Sequence, residues 1–190
     1  MITAKYHQSK NQIAEEESLI RKAQEDSAAF EPLYTAYYKR ILEFSYKRLN
    51  TVDDARDVTQ QVFLNALTNL KNYECRGLPF SSWLFRIALN EMNSHFRKTK
   101  KFRAVNLDTV SLGHLVSEMW PVREELPVDQ LAQSLTKISS LDYLLIEMRF
   151  FEQRAFKEIA EILEITENNA KVKTYRALDR LKVAFNTTNH

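Results

Sequence analysis

The stretch AFKEIAEILEITENNAKVKTYRALDRLK, Ala155 to Lys182, decides how the rest of the chain is read. It holds two helix-period runs separated by Glu164-Ile165-Thr166. Ile159, Ala160 and Leu163 form the buried side of the first run, Ile165 packs inward at the turn, and Thr166 is placed to cap the second. At about 100° per residue, Ala170, Thr174, Ala177, Leu178, Leu181 and Phe185 share one side of the second helix. Asn168, Asn169, Val172, Tyr175 and Arg176 gather on the other, flanked by Lys171 and Lys173. This is a helix-turn-helix pattern. Its outer face suits the major groove, because amides and Arg read base edges, Val touches a thymine methyl, and lysines meet phosphates. The same residues also suit the solvated face of an ordinary helical hairpin. Glu164 stands at the turn position most often held by Gly, which counts against the turn.

The surrounding composition agrees with a helical protein. The 190 residues suit one large domain or two small ones. Only two glycines and four prolines occur, which points to an all-α chain rather than a turn-rich β one. The net charge of +2 is close to neutral, so only local clustering of charge speaks for a partner. A single Cys75 excludes an intramolecular disulfide and suits a reducing compartment. No apolar run approaches the roughly 20 residues that cross a bilayer, and the first residues lack a secretory core. A cytoplasmic protein without membrane insertion is expected. His7, His95, His114 and His190 are scattered, and no Gly-rich phosphate loop or metal-spaced ligand set occurs. The expectation is therefore no enzyme, no cofactor and no metal.

Working back from the motif, residues 1–22 read as an N-terminal extension, loosely ordered to about residue 16. A helical pattern begins at Ser18, and Asp26-Ser27 offers a stop or a fresh cap. Pro32 fits a first helical turn. Leu33, Tyr37, Ile41, Phe44 and Leu49 then share a face, with Asn50 as the end. Asp53 is expected to cap DARDVTQQVFLNALTNL, whose apolar face is Ala55, Val58, Val62, Ala66 and Leu70. YECRGLPF is a loop. FSSWLFRIALNEMNSHFRKTKKFR, Phe80 to Arg103, reads as one broken helix or two that pass into a run of cations. Phe80, Trp83, Leu84 and Ile87 follow helical spacing and read as core rather than as a base-stacking platform. Residues 104–130 lose periodicity and form a linker, able to reach about 90 Å when extended. Residues 131–190 are helical again.

AFEPLYTAYYKRILEFSYKRL, DDARDVTQQVFLNAL and FSSWLFRIALNEMNSHFRK, followed by a linker and the helix-turn-helix, resemble a bacterial RNA polymerase sigma factor of the extracytoplasmic-function (ECF) class. The resemblance implies two small helical domains, region 2 over 23–103 and region 4 over 131–190, joined by the flexible linker 104–130. It implies a transcription initiation factor whose Asp53–Leu70 helix docks on the β′ coiled coil of core RNA polymerase through Asp54, Asp57, Gln60, Gln61 and Phe63. Gln61 and Arg56 stand where the family often has acids. The Phe80–Arg103 stretch is similar to the part that melts and captures the promoter −10 element. Asn90 matches a loop that holds a flipped base, and Glu91, Asn93 and Ser94 flank it. Phe96, Arg97, Lys98, Lys100 and Lys101 supply the DNA surface. The helix-turn-helix reads the −35 element through Asn168, Asn169, Lys171, Val172, Lys173, Tyr175 and Arg176. Core polymerase, promoter DNA and an anti-sigma factor are the implied partners. A one-component helix-turn-helix regulator that does not dock on polymerase is the rival, and it leaves the DARDVTQQVF helix without a role. A recombinase-like enzyme finds no catalytic set.

Overall fold

The computed structural model describes residues 9–49, 51–99 and 128–187, and every regular element among them is helical. These residues fall into two compact units, one holding 9–99 and the other 128–187.

The first unit begins with α1, Lys10–Glu25. A capping box starts it: Gln12 N–H donates to Ser9 Oγ at 3.3 Å, and Ser9 N–H donates to Gln12 Oε1 at 2.8 Å. The segment expected to be loosely ordered is thus helical from Lys10 onward. Asp26 ends α1 and accepts the Ala28 N–H at 3.0 Å, opening a 3₁₀ turn over Ser27–Phe30. Helix α2 spans Glu31–Tyr46, with Pro32 in the first turn, where no intrahelical N–H bond is lost. Leu33, Tyr37, Ile41, Phe44 and Leu49 are all buried, as their spacing requires.

Helix α3 spans Val52–Asn69. Its cap is Thr51, whose Oγ1 accepts the Asp54 N–H at 3.0 Å, and not Asp53. Asp53 sits in the first turn, where a carboxylate suits the positive end of the helix. A 3₁₀ turn over Leu70–Asn72 follows, then the loop to α4, Phe80–Thr99. The expected break near Asn90 is absent. No Gly or Pro interrupts the segment, and Leu89 and Met92 on either side of Asn90 are buried. The polar residues form the outer face of one continuous helix.

Helices α2, α3 and α4 pack on one another. Phe30, Tyr34 and Tyr38 gather around Phe63, and Tyr37, Tyr73 and Trp83 around Phe80. Burial of Phe80, Trp83 and Leu84 agrees with their reading as core. Helix α1 belongs to this unit. The Gln24 amide donates to Leu70 O at 2.9 Å and Tyr73 O at 2.8 Å. Glu16, only 8% exposed, accepts the Tyr37 hydroxyl on one oxygen and the Phe80 N–H on the other.

The second unit holds α5 (Val128–Lys137), α6 (Ser140–Ile146), α7 (Phe156–Leu163) and α8 (Glu167–Thr187). Helix α6 continues as a π-helical turn over Glu147–Phe151. Helix α5 starts inside the segment read as linker, whose remainder lies outside the described residues. Helix α8 packs on α5, α6 and α7, burying Ala170, Thr174, Ala177, Leu178, Leu181 and Phe185. On α7 the buried apolar set is Ile159, Ala160 and Ile162, and Leu163 is half-buried. Asp142 and Arg180 tie α6 to α8 through two hydrogen bonds, one of 2.8 Å from Arg180 Nε to Asp142 Oδ2. Those bonds hold the Asp142 carboxyl below its usual pKa.

Candidate nucleic-acid interface and docking face

The turn between α7 and α8 has the left-handed backbone that its sequence disfavours. Glu164 adopts φ 55° and ψ 43°, a conformation ordinarily left to Gly because a Cβ crowds the next carbonyl. The N–H groups of Glu164 and Ile165 both donate to Ala160 O, closing the end of α7. The Thr166 side chain then accepts the Asn169 N–H at 3.3 Å and starts α8. Before α7, Gln153 is also left-handed, at φ 55°. The adjacent Arg154 is buried, with its Nε 2.5 Å from Glu152 and its Nη1 3.6 Å from Glu158. A buried guanidinium needs such carboxylates, and together they fix the entry to the motif.

On the outer face of α8, Asn168, Asn169, Lys171, Val172, Tyr175 and Arg176 are exposed and Lys173 is half-buried. The structure brings these residues together on one side, clear of the apolar side. It also adds two side chains that sequence spacing did not reveal. Phe156 of α7 lies 6.0 Å from the Tyr175 ring, and the Arg149 guanidinium lies 4.5 Å from the centroid of the same Phe156 ring. Arg149 therefore joins the basic face from outside the motif. The signal was a lone Arg in an apolar run, which periodicity alone does not assign.

On α4, Asn90, Arg97 and Lys98 are exposed, while Glu91, Asn93, Ser94 and Phe96 are half-buried. Lys100 and Lys101 lie outside the described residues. Asn90, Asn93, Ser94 and Arg97 share a stripe, because separations of three and four return to one helix face. Arg86, four residues before Asn90, lies on the same stripe and was not among the expected residues. Asn90 stands mid-helix, not in a loop, so a base meeting it approaches a helix face.

On α3, Asp57, Gln60 and Gln61 are exposed. Asp54 turns toward α4, where its Oδ1 lies 3.5 Å from His95 Nε2. Phe63 is a correction: it is 4% exposed and sits in the aromatic cluster of α2 and α3, so it offers nothing to a partner in this conformation. The apolar groups on the outer face are instead Leu64 and Leu67, 57% and 38% exposed. Their spacing is legible in the sequence, since Leu64 follows Gln60 by one helical turn and Leu67 follows Leu64 by one more. Phe63 is expected there only from the family resemblance, which does not tell a buried aromatic residue from an exposed one.

Among the described residues no helix is long and apolar enough to cross a membrane. The family model described as Sigma-70 region 2 matches residues 33–102, and that described as Sigma-70, region 4 matches residues 124–181. The ECF RNA polymerase sigma factor SigW of Bacillus subtilis (strain 168) is 25% identical over 173 residues, covering 86% of this chain and 91% of that protein. The ECF RNA polymerase sigma factor BldN of Streptomyces coelicolor is 28% identical over 173 residues. There the match covers 86% of this chain but 63% of the relative, so the chain spans less than two thirds of that protein's length. Two solved structures share the fold at a TM-score of 0.57: CnrH in complex with the cytosolic domain of CnrY, and sigma factor RpoE in complex with the anti-sigma factor NepR from Bartonella quintana. The first is 20% identical and covers 89% of this chain and 96% of its own; the second is 18% identical and covers 83% and 96%.

Proposed function

The chain belongs to the sigma-70 family, in its extracytoplasmic-function class, and from that premise we propose that it directs core RNA polymerase to specific promoters. Residues 23–103, joined by α1, act as region 2, and residues 131–190, with the preceding turn of α5, act as region 4. The outer face of α3 docks on the β′ coiled coil through Asp57, Gln60, Gln61, Leu64 and Leu67. Exposed apolar groups ringed by amides and a carboxylate are what a partner helix needs for both burial and register.

The α8 face enters the major groove of the −35 element, with Asn168, Asn169 and Arg176 at base edges and Lys171 and Lys173 at phosphates. The α4 stripe receives the melted −10 strand, with Asn90, Asn93 and Ser94 toward the bases and Arg97 and Lys98 toward the backbone. Two modest readers on one chain gain from effective concentration when both engage the same promoter. An anti-sigma factor that covers Leu64 and Leu67 blocks docking, which gives this chain an off state.

The observation that carries this reading is the ordered pair of family matches, each falling on a unit with an exposed polar face. Transcription in vitro tests it. The purified chain and sigma-free core polymerase are mixed with a library of promoter fragments. Specific start sites and a stable complex with core are expected. Promoter binding without core association makes the chain a one-component regulator, and absence of both overturns the reading.

A further inference from the structure

Glu91 lies on a helix that also carries Arg97 and Lys98, and a carboxylate beside a phosphate chain repels it unless it is aimed elsewhere. The structure shows it aimed. Asn65 of α3 donates through Nδ2 to Glu91 Oε1 at 2.7 Å, and Asn65 Oδ1 accepts from Gln61 Nε2 at 2.9 Å. Gln61 and Asn65 are one turn apart on α3, so three side chains form a continuous hydrogen-bonded series from the outer face of α3 to α4. The polarity of the series fixes the amide orientation, since the reverse flip sets the Asn65 oxygen against a carboxylate. Asn65 and Glu91 are both half-buried, where such bonds are stronger than in open water. The two helices meet again where Asp54 Oδ1 lies 3.5 Å from His95 Nε2, one α4 turn beyond Glu91. The backbone under Glu91 is therefore fixed along with its carboxylate.

We propose that Asn65 is a positioning residue for promoter selectivity. It engages one oxygen of Glu91 and leaves Oε2 presented to the exocyclic amine of an unpaired adenine, cytosine or guanine in the −10 strand. A carboxylate accepts from the amines of adenine, cytosine and guanine, whereas thymine has no amine and sets two keto oxygens against it, so the pair selects against thymine. An unstacked base exposes that edge to a helix face in a way a paired one does not. Without Asn65 the carboxylate regains its rotamer freedom and loses direction. The inference rests on the reading of α4 as the −10 face and adds to it which residue sets the choice and through which bond.

The test uses the full chain bound to core polymerase and a promoter library randomised across the −10 element. Wild type, Asn65→Ala, Asn65→Asp, Glu91→Ala and the double variant Asn65→Ala/Glu91→Ala are compared. Wild type is expected to disfavour T at one position, and Asn65→Ala to weaken that bias by roughly tenfold. Asn65→Asp, nearly isosteric but like-charged toward Glu91, is expected to relax the same position. The double variant is expected to match Glu91→Ala, because both changes remove one interaction. Core affinity and thermal midpoint, measured alongside, separate positioning from folding. If Asn65→Ala lowers the midpoint or core affinity while every −10 position keeps its wild-type profile, the proposal is overturned. It is also overturned if losses in the double variant simply add. Failure of the wild-type chain to bind core or select any promoter is a different result, and overturns the function itself.

Discussion

Glu16 Oε2 accepts the backbone N–H of Phe80 at 2.7 Å, across 64 positions of sequence. Phe80 is the first residue of α4. A carboxylate there satisfies one of the four unpaired N–H groups of the helix start and meets the positive end of its dipole. The other oxygen takes the Tyr37 hydroxyl, so one buried side chain on α1 joins α2 and α4.

Replacing Glu16 with Ala removes the carboxylate to which both buried donors bond. The expected loss is about 2–3 kcal/mol of unfolding free energy in the first unit, read from urea titration of the full chain. Glu16→Gln keeps one acceptor oxygen and is expected to fall between the two.

Glu164 adopts a left-handed backbone with a side chain that disfavours it. Glu164→Gly is expected to raise the stability of the second unit by about 0.5–1 kcal/mol, the relief of Cβ crowding less the added freedom of the unfolded chain. A β-branched residue such as Val is expected to lower it. Thermal midpoints of the three proteins decide the sign.

The Asp142 carboxyl is held below its usual pKa chiefly by the hydrogen bond from Arg180. A depressed folded pKa contributes stability that is fully present above the unfolded value, near 3.8, and is lost as pH falls through the lower folded value. Acid unfolding of wild type is therefore expected to steepen below about pH 4. Asp142→Asn is expected to be less stable at neutral pH and to show a shallower acid slope, measured by denaturant titration across pH.

Leu64 is exposed where Phe63 is buried, and the two substitutions are expected to part accordingly. Leu64→Ser is expected to weaken core polymerase binding roughly tenfold with stability within about 0.5 kcal/mol of wild type. Phe63→Ala is expected to cost about 3–5 kcal/mol of stability. Paired binding and unfolding measurements check both.

Arg176→Ala is expected to weaken transcription from promoters that depend on the −35 element, by roughly 5–100-fold for a lost base-edge contact, while sparing those with a strong −10 element. Asn90→Ala is expected to do the reverse and to slow opening. Runoff transcription on a promoter set with each element altered in turn measures the two effects.

What the sequence disclosed follows from how locally each feature is encoded. The buried faces of α2, α3 and α8 come from spacing alone, and every residue named for them is buried. The Ser9–Gln12 capping box is equally local, yet it lies in the polar segment that reads from sequence as loosely ordered. Glu16 itself was beyond reach: nothing in EEE distinguishes the one carboxylate that Tyr37 and Phe80 enclose. The same limit separates Asp54, turned to His95, from exposed Asp57 on one helix. Asn90 illustrates the opposite error, a polar cluster taken for a break although no residue there prevents a helix from continuing.

The continuity of α4 turns it into a ruler. Side chains four residues apart on its face rise about 6 Å along the axis, whereas stacked bases step by about 3.4 Å. Asn90 and Ser94 therefore fall in step with neighbouring nucleotides only on a strand drawn out to nearly twice its duplex spacing. On the proposed reading of α4, such a gauge would discriminate by extension as well as by letter, and would fit a strand after it has come apart better than before.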